Sequence, residues 1–254
     1  MANFSIKLKE RRNLAVGTEL FIFEKPEGFV FEAGQYIALM LQKPLVATDT
    51  RGPVRSFSFS SAPCEKELYI AMREGVSGFK QTMFTLQPGE SVTITKPIGH
   101  FTLSHSSDGK PIVFLVGGIG ITPVRSILKQ SEHEGSDREF TLFYSNRFEK
   151  DAAFHEELKD LKLAHFHYVP TLSQETAPSK QENEERGYIC EEMIKRHVAD
   201  FSDSWFYLVG APQFIEAMEK ILAQMGVTKD RCVLDPFTGI VRPDDKEKVV
   251  EKVQ

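Results

Sequence analysis

A short apolar run leads into a glycine-rich turn in Ile112-Val-Phe-Leu-Val-Gly-Gly-Ile-Gly-Ile-Thr-Pro123. The apolar run is too short to span a membrane and is typical of a buried parallel strand. Gly118 and Gly120 allow a ligand to approach the backbone closely. Thr122 is predicted to cap a following helix, with Pro123 at its first position. A strand, a glycine turn and a helix start favour a phosphate site, because free amides and the helix dipole face the turn.

The same turn is also consistent with a tight connection that binds no ligand. The dinucleotide-binding fingerprint has a third glycine at the position where Pro123 stands in this chain. The turn alone therefore leaves both interpretations open, and the remainder of the chain has to separate them.

Length and composition restrict the class of protein. A chain of 254 residues with 41% hydrophobic and 26% charged residues is long enough for two modest globular domains. The net charge of −5 argues against nucleic acid as a partner. The three cysteines are isolated in sequence, so no metal site, iron–sulfur cluster or disulfide framework is predicted. The sequence has neither a signal-peptide pattern nor a long apolar run, which predicts a cytoplasmic protein without membrane insertion.

Two patterns follow one another along the chain. Short alternating segments between residues 4 and 95 predict about six strands, a helix near 77–86 and a small closed barrel. From Lys110 onward, strands alternate with helices predicted at 123–131, 152–161, 191–198 and 212–225, which indicates a parallel α/β domain. Residues 173–186 are predicted to form a polar loop. We therefore predict a β domain at 1–104, an α/β domain at 105–240 and a charged tail at 241–254.

One predicted barrel strand carries chemistry of its own. In Arg55-Ser-Phe-Ser58, alternation places Arg55 and Phe57 on one face and the two serines on the other. An arginine can bind a phosphate, and an aromatic ring can stack on a flat cofactor. An edge strand with inward aromatic side chains would show the same pattern.

Six motifs together resemble the ferredoxin–NADP reductase superfamily. In chain order they are Arg55-Ser-Phe-Ser58, Gly75-Val-Ser77, the turn at 117–123, Tyr144-Ser-Asn-Arg147, Leu208-Val-Gly-Ala-Pro212 and Asp235-Pro-Phe-Thr-Gly239. The resemblance implies an antiparallel Greek-key flavin-binding barrel followed by a Rossmann-like NAD(P)-binding domain. It also implies an enzyme that transfers a hydride from NAD(P)H to bound FAD and passes electrons to a separate acceptor.

The resemblance also implies roles for individual residues. Arg55 would contact the flavin phosphates, Phe57 would stack on the isoalloxazine, and Ser58 would hydrogen-bond near its reactive edge. Ser58, Thr122 and Asp235 are the implied catalytic residues. The implied cofactor-binding residues are Arg55, Ser56, Phe57, Ser58, Gly75, Val76, Ser77, Gly118, Gly120, Thr122, Pro123, Ser145, Arg147, Gly210, Ala211, Pro212 and Phe237.

Three positions depart from the family pattern. Phe57 stands in place of the commoner tyrosine, Val209 in place of a cysteine beside the nicotinamide, and Asp235 in place of a glutamate. The first change keeps the stacking surface, whereas the other two bear on the rate of hydride transfer.

The choice between nucleotides depends on the end of the second parallel strand. NADH sites usually place an acidic residue there, whereas this chain has Ser145 and Arg147, which slightly favours NADPH. Arg147 could equally pair with Glu149 or Asp151 on the surface. FAD is favoured over FMN because the Gly75–Ser77 motif suits a diphosphate, although a single phosphate would fit too.

Two other functions agree with the same motifs. One is a flavin reductase that uses free flavin as its substrate, and the other is a redox-sensing or electron-transfer subunit without turnover. For the reductase, the acceptor could be ferredoxin, flavodoxin, an oxygenase component or a small oxidant.

Overall fold

The fold is described from a computed structural model, and the structure describes residues 3–177 and 183–237. The first part contains β1 (Phe4–Ala15), β2 (Thr18–Glu24), β3 (Tyr36–Leu41), β4 (Val54–Ser58), β5 (Glu67–Arg73), α1 (Gly78–Met83) and β6 (Ser91–Ile94). The second part contains β7 (Ile112–Gly117), α2 (Ile121–His133), β8 (Phe140–Asn146), α3 (His155–Lys159), β9 (Phe166–Leu172), β10 (Glu185–Arg186), α4 (Glu191–His197), β11 (Trp205–Gly210), α5 (Pro212–Gln224) and β12 (Cys232–Pro236).

The first six strands form an antiparallel sheet in the order β4-β3-β6-β1-β2-β5. The sheet curls around its own core, which includes the fully buried rings of Phe21, Phe59 and Phe79. The two edge strands, β4 and β5, meet where the Ser60 amide, just after β4, donates to the carbonyl of Tyr69 in β5 at 2.9 Å. The predicted β-barrel followed by a parallel α/β unit is confirmed as a fold class.

The second six strands form a parallel sheet in the order β10-β9-β8-β7-β11-β12. Strand β7 lies in the middle, and its alternate side chains enter two different cores. Phe114 and Val116 face the core on one side of the sheet, and Val113 and Leu115 face the core on the other. Burial on both faces explains why this strand reads as a continuous apolar run rather than an alternating one.

The two sheets share a core. Leu20 and Ile22 of β2 pack in the same cluster as Phe114 of β7 and Val124 of α2. The junction also contains a polar contact, because the buried hydroxyl of Tyr207 donates to the carbonyl of Thr102 at 2.7 Å. Barrel and parallel sheet are therefore packed against each other directly.

Some predicted elements differ from those observed. The third helix was predicted at 152–161 but spans only His155–Lys159, because Phe154 has a left-handed backbone (φ 61°) that interrupts helical geometry. The predicted polar loop at 173–186 contains the short edge strand β10 at its end.

Other predictions lie outside the structure's scope. The predicted tail at 241–254, with Thr238 and Gly239 of the last motif, lies outside the described residues. The domain boundary at residue 104 stays a prediction.

The longest described helices have 13 residues, and among the residues that the structure covers no helix is long and apolar enough to cross a bilayer.

Candidate functional site

A cleft of about 710 Å³ opens between β4, β5 and α1 on one side and the carboxyl ends of β7 and β12 on the other. Open parallel sheets bind ligands at this edge, where the connections reverse direction. The connections reverse direction at β7, since β8 lies on one side of this strand and β11 on the other. Ten of the predicted site residues line the cleft: Arg55, Ser56, Phe57, Ser58, Gly75, Val76, Ser77, Thr122, Asp235 and Phe237.

The aromatic part of the cleft comes from β4 and α1. The Phe57 ring stacks on the ring of Phe79, with centroids 5.8 Å apart and planes inclined by 27°. The Arg55 guanidinium lies over the same Phe79 ring at 5.2 Å. Arg55 and Phe57 therefore share a face of β4, as the alternation predicted. The next residue along the strand, Ser58, is buried.

Arg55 is bound by the chain itself. Its Nη2 lies 2.6 Å from Oδ1 of Asp49, and its Nη1 donates to the carbonyls of Arg51, Gly52 and Val54. The other carboxylate oxygen of Asp49 accepts from the Phe79 amide at 3.0 Å. The hydrogen bond from the Phe79 amide is the largest cause that holds the pKa of Asp49 below its ordinary value, followed by those from the Arg51 amide and the Arg55 guanidinium. The carboxylate is therefore charged at neutral pH.

The glycine turn is tightly packed against β11. Gly118 has a positive φ of 55°, and a Cβ added to Gly120 would lie 2.8 Å from the carbonyl oxygen of Val209. Gly120 thus provides the close approach of helix and strand that a third glycine provides in the dinucleotide fingerprint. Pro123 is the third residue of α2, still within its first turn, and not the first residue as predicted.

The predicted helix cap at Thr122 is wrong. A 3₁₀ turn over Gly118–Gly120 precedes α2, so the backbone is already helical before Thr122. Its hydroxyl donates back to the carbonyl of Ile119 at 3.2 Å instead of accepting from an amide. Thr122 still lines the cleft.

Asp235 contributes an acid at the end of β12. Burial raises its pKa from 3.8 to about 6. Its Oδ2 is buried without a hydrogen-bond partner among the residues that the structure describes. A carboxyl group in this state can hold or release a proton near neutral pH.

Sequence reasoning missed three cations of the cleft, which are Arg51, Arg73 and Lys80. Arg73 ends β5 and donates to the carbonyl of Asp151 at 3.1 Å. Lys80 lies in α1, and burial lowers its pKa, with a smaller contribution from Arg73. Both flank the Gly75–Ser77 motif in sequence, and basic residues around a predicted phosphate motif are a signal that could have identified them.

Eight predicted site residues lie outside the lining of this cleft: Gly118, Gly120, Pro123, Ser145, Arg147, Gly210, Ala211 and Pro212. Some of them are nevertheless close neighbours of it. Ser145 pairs in register with Gly117 at the end of β8. The carbonyl of Gly210 accepts from the Phe237 amide at 2.7 Å. Ser145 and Gly210 thus lie next to the glycine turn and the cleft wall, and the roles of all eight residues remain predictions.

Comparisons with known proteins agree with this architecture. Residues 114–220 match the family model described as an oxidoreductase NAD-binding domain. The chain is 32% identical over 178 residues to ferredoxin–NADP reductase B of Sorangium cellulosum, covering 67% of this chain and 70% of that protein. It is 28% identical over 233 residues to a flavohemoprotein of Bacillus subtilis, covering 88% of this chain and 56% of the relative.

A solved structure shows the same fold. The ferredoxin–NADP⁺ reductase of Neisseria gonorrhoeae, with bound FAD and NADP, has a TM-score of 0.77 at 22% identity and covers 92% of this chain and 98% of its own. The chain spans between 56% and 61% of the length of the flavohemoproteins and of the propane monooxygenase reductase components that it resembles.

Proposed function

This chain belongs to the ferredoxin–NADP reductase family, and from that premise we propose that it is an NAD(P)H-dependent flavin oxidoreductase. The bound cofactors would supply the redox chemistry: a hydride moves from NAD(P)H to FAD, and electrons then pass to a separate acceptor. Ferredoxin, flavodoxin, an oxygenase component or a small oxidant are the proposed acceptors. The likeness to reductase components of monooxygenases supports the third of these.

The position of the cleft is the observation that carries this proposal. It brings an aromatic strand of the barrel against the carboxyl edge of a parallel sheet, and its volume of about 710 Å³ is within the usual range for cofactor sites. The stacked ring of Phe57 offers a flat apolar surface, and Arg73 and Lys80 offer positive charge. The donor set therefore fits a planar group that carries phosphate.

The chain's own contribution is positioning, exclusion of water and control of a proton. Phe57 can orient a flat ring, while Ile119 and Phe237 make the opposite part of the lining apolar. The hydroxyl of Ser58 can donate a hydrogen bond to a ring atom. Asp235 can hold a proton at the buried Oδ2, since its pKa of about 6 is near the working range.

The preference between nucleotides is a finer part of the proposal, and we favour NADPH slightly. Support comes from the end of β8, where Ser145 lies beside Gly117 in register and Arg147 follows the strand. A hydroxyl and a guanidinium at this place suit a ribose 2′-phosphate.

The visible spectrum of the purified protein tests the function. After loading with FAD, anaerobic addition of NADPH should bleach the flavin bands, and NADH should bleach them more slowly. Flavin bands that persist with both nucleotides would contradict the reductase. Faster bleaching by NADH would leave the reductase intact and overturn only the nucleotide preference.

A second candidate is a flavin reductase that takes free flavin as a substrate. The contact between Arg55 and Asp49 favours it, because an arginine bound by its own chain is less able to retain a flavin phosphate. In that case purified protein should carry no flavin but should reduce added flavin with NAD(P)H.

A further inference from the structure

The segment between β3 and β4 folds tightly against α1. The amide of Val46 donates to Oγ1 of Thr82 at 2.9 Å. The carbonyl oxygen of Ala47 lies 2.0 Å from the place where a Cβ on Gly78 would be, so only glycine allows this approach. These contacts fix the position of Asp49, whose side chain is 4% exposed.

The Asp49 carboxylate is bound as an anion by three donors. They are Nη2 of Arg55 at 2.6 Å, the amide of Arg51 at 3.0 Å and the amide of Phe79 at 3.0 Å. A guanidinium combined with backbone amides is also the donor set that binds a phosphate group. In this chain a carboxylate from the chain itself already occupies the set.

We propose that Asp49 substitutes internally for a flavin phosphate at Arg55, so that Arg55 adds little affinity for a phosphate and the flavin ring system dominates selection at this end of the cleft. The inference rests on the proposed function, since it concerns how the same cleft holds flavin. A flavin phosphate and the Asp49 carboxylate carry the same sign of charge and compete for Arg55. Asp49 is thus a specificity-determining residue that weakens the binding of a flavin phosphate at Arg55.

Riboflavin and FMN form a matched pair for the test, because they differ only by one phosphate. Dissociation constants for both are measured by quenching of flavin fluorescence. The wild type should bind the two within about threefold of each other. Asp49→Asn keeps the shape and an oxygen acceptor for Phe79, and it should bind FMN at least tenfold more tightly while riboflavin affinity stays within twofold.

Two further variants control for charge and for the identity of the cation. Glu67→Gln removes one negative charge from an ion pair with Lys9 outside the cleft lining, and should change neither constant. Arg55→Ala should alter FMN affinity less than threefold in the wild type but at least tenfold when added to Asp49→Asn.

Several results would overturn the proposal. The first is FMN binding to the wild type at least tenfold more tightly than riboflavin. The second is an Asp49→Asn variant that changes both ligands equally or neither. If circular dichroism shows that Asp49→Asn does not fold, two results still test the proposal. They are the ratio of the wild-type dissociation constants for riboflavin and FMN, and the effect of Arg55→Ala on FMN binding. If no folded variant binds riboflavin, FMN or FAD, the proposed function is removed together with this inference.

Discussion

At the scale of single residues, Asp235 links burial to protonation. Its carboxyl group has a raised pKa of about 6 because it is buried, whereas an unfolded chain would titrate it near 3.8. Between these values the folded state binds more protons than the unfolded state. The free energy of unfolding therefore falls as pH rises through this window and stays lower above it, because the folded state must then bury a charge.

Asp235→Asn removes that charge and should stabilise the protein where the wild type is ionised. We expect a gain of about 1–3 kcal/mol in the free energy of unfolding at pH 8, on the basis of about 1.4 kcal/mol per pKa unit. The gain should shrink towards pH 4. Urea denaturation at pH 4, 6 and 8 measures it. A gain that does not depend on pH would show that Asp235 is not buried as a charge.

Asp230 provides a contrasting control. It is exposed, and a hydrogen bond from Thr228, as the largest cause, lowers its pKa instead of raising it. Asp230→Asn should therefore give no gain at any of the three pH values.

At the scale of elements, the strand–turn–helix unit from β7 to α2 depends on Gly120. Its backbone has a negative φ of −58°, which alanine adopts easily, so conformation does not require glycine here. The lack of space requires glycine, because an added Cβ would lie 2.8 Å from the carbonyl oxygen and 3.0 Å from the carbonyl carbon of Val209. Backbone atoms of a central strand cannot move away without disturbing the sheet.

Gly120→Ala should therefore lower the free energy of unfolding by about 1–3 kcal/mol, the usual cost of overpacking. Gly75→Ala is a matched control, since the three atoms nearest to an added Cβ there all belong to the flexible side chain of Lys80. Thermal denaturation of the two variants compares a rigid neighbour with a mobile one. Equal melting temperatures would contradict the assigned role of Gly120.

The β7–α2 unit and the Asp49 contact together show what a sequence can and cannot predict. The apolar run and the glycines predicted β7 and the turn, because burial on both faces and close approach depend on local residue types. The helix cap at Thr122 was wrong because a 3₁₀ turn advanced the helix start. The contact of Asp49 with Phe79 was missed because it joins residues far apart in sequence, where no local pattern reports the pairing.

At the scale of the whole molecule, Arg125 joins the two sheets. It belongs to α2 and is buried, with 4% of the residue exposed. Its guanidinium donates to the carbonyl of Ser60 and to the carboxylate of Glu65 on the barrel side, and to Glu157 of α3 on the other side. The rings of Tyr69 and Phe154 lie 5.3 and 5.0 Å from it. One side chain thus satisfies two acids and a carbonyl across the junction.

Arg125→Met keeps much of the apolar stem but leaves both carboxylates without their cation. Removing one member of a buried ionic group is costly, and we expect a loss of about 3 kcal/mol in the free energy of unfolding. Arg12→Met is the control, because Arg12 pairs with Glu10 on an exposed surface, where such pairs contribute little. Because the junction would be weakened while both sheets keep their own cores, urea unfolding of Arg125→Met should also become less cooperative. A loss no greater than that of Arg12→Met would show that the ion pairs of Arg125 contribute little to holding the two sheets together.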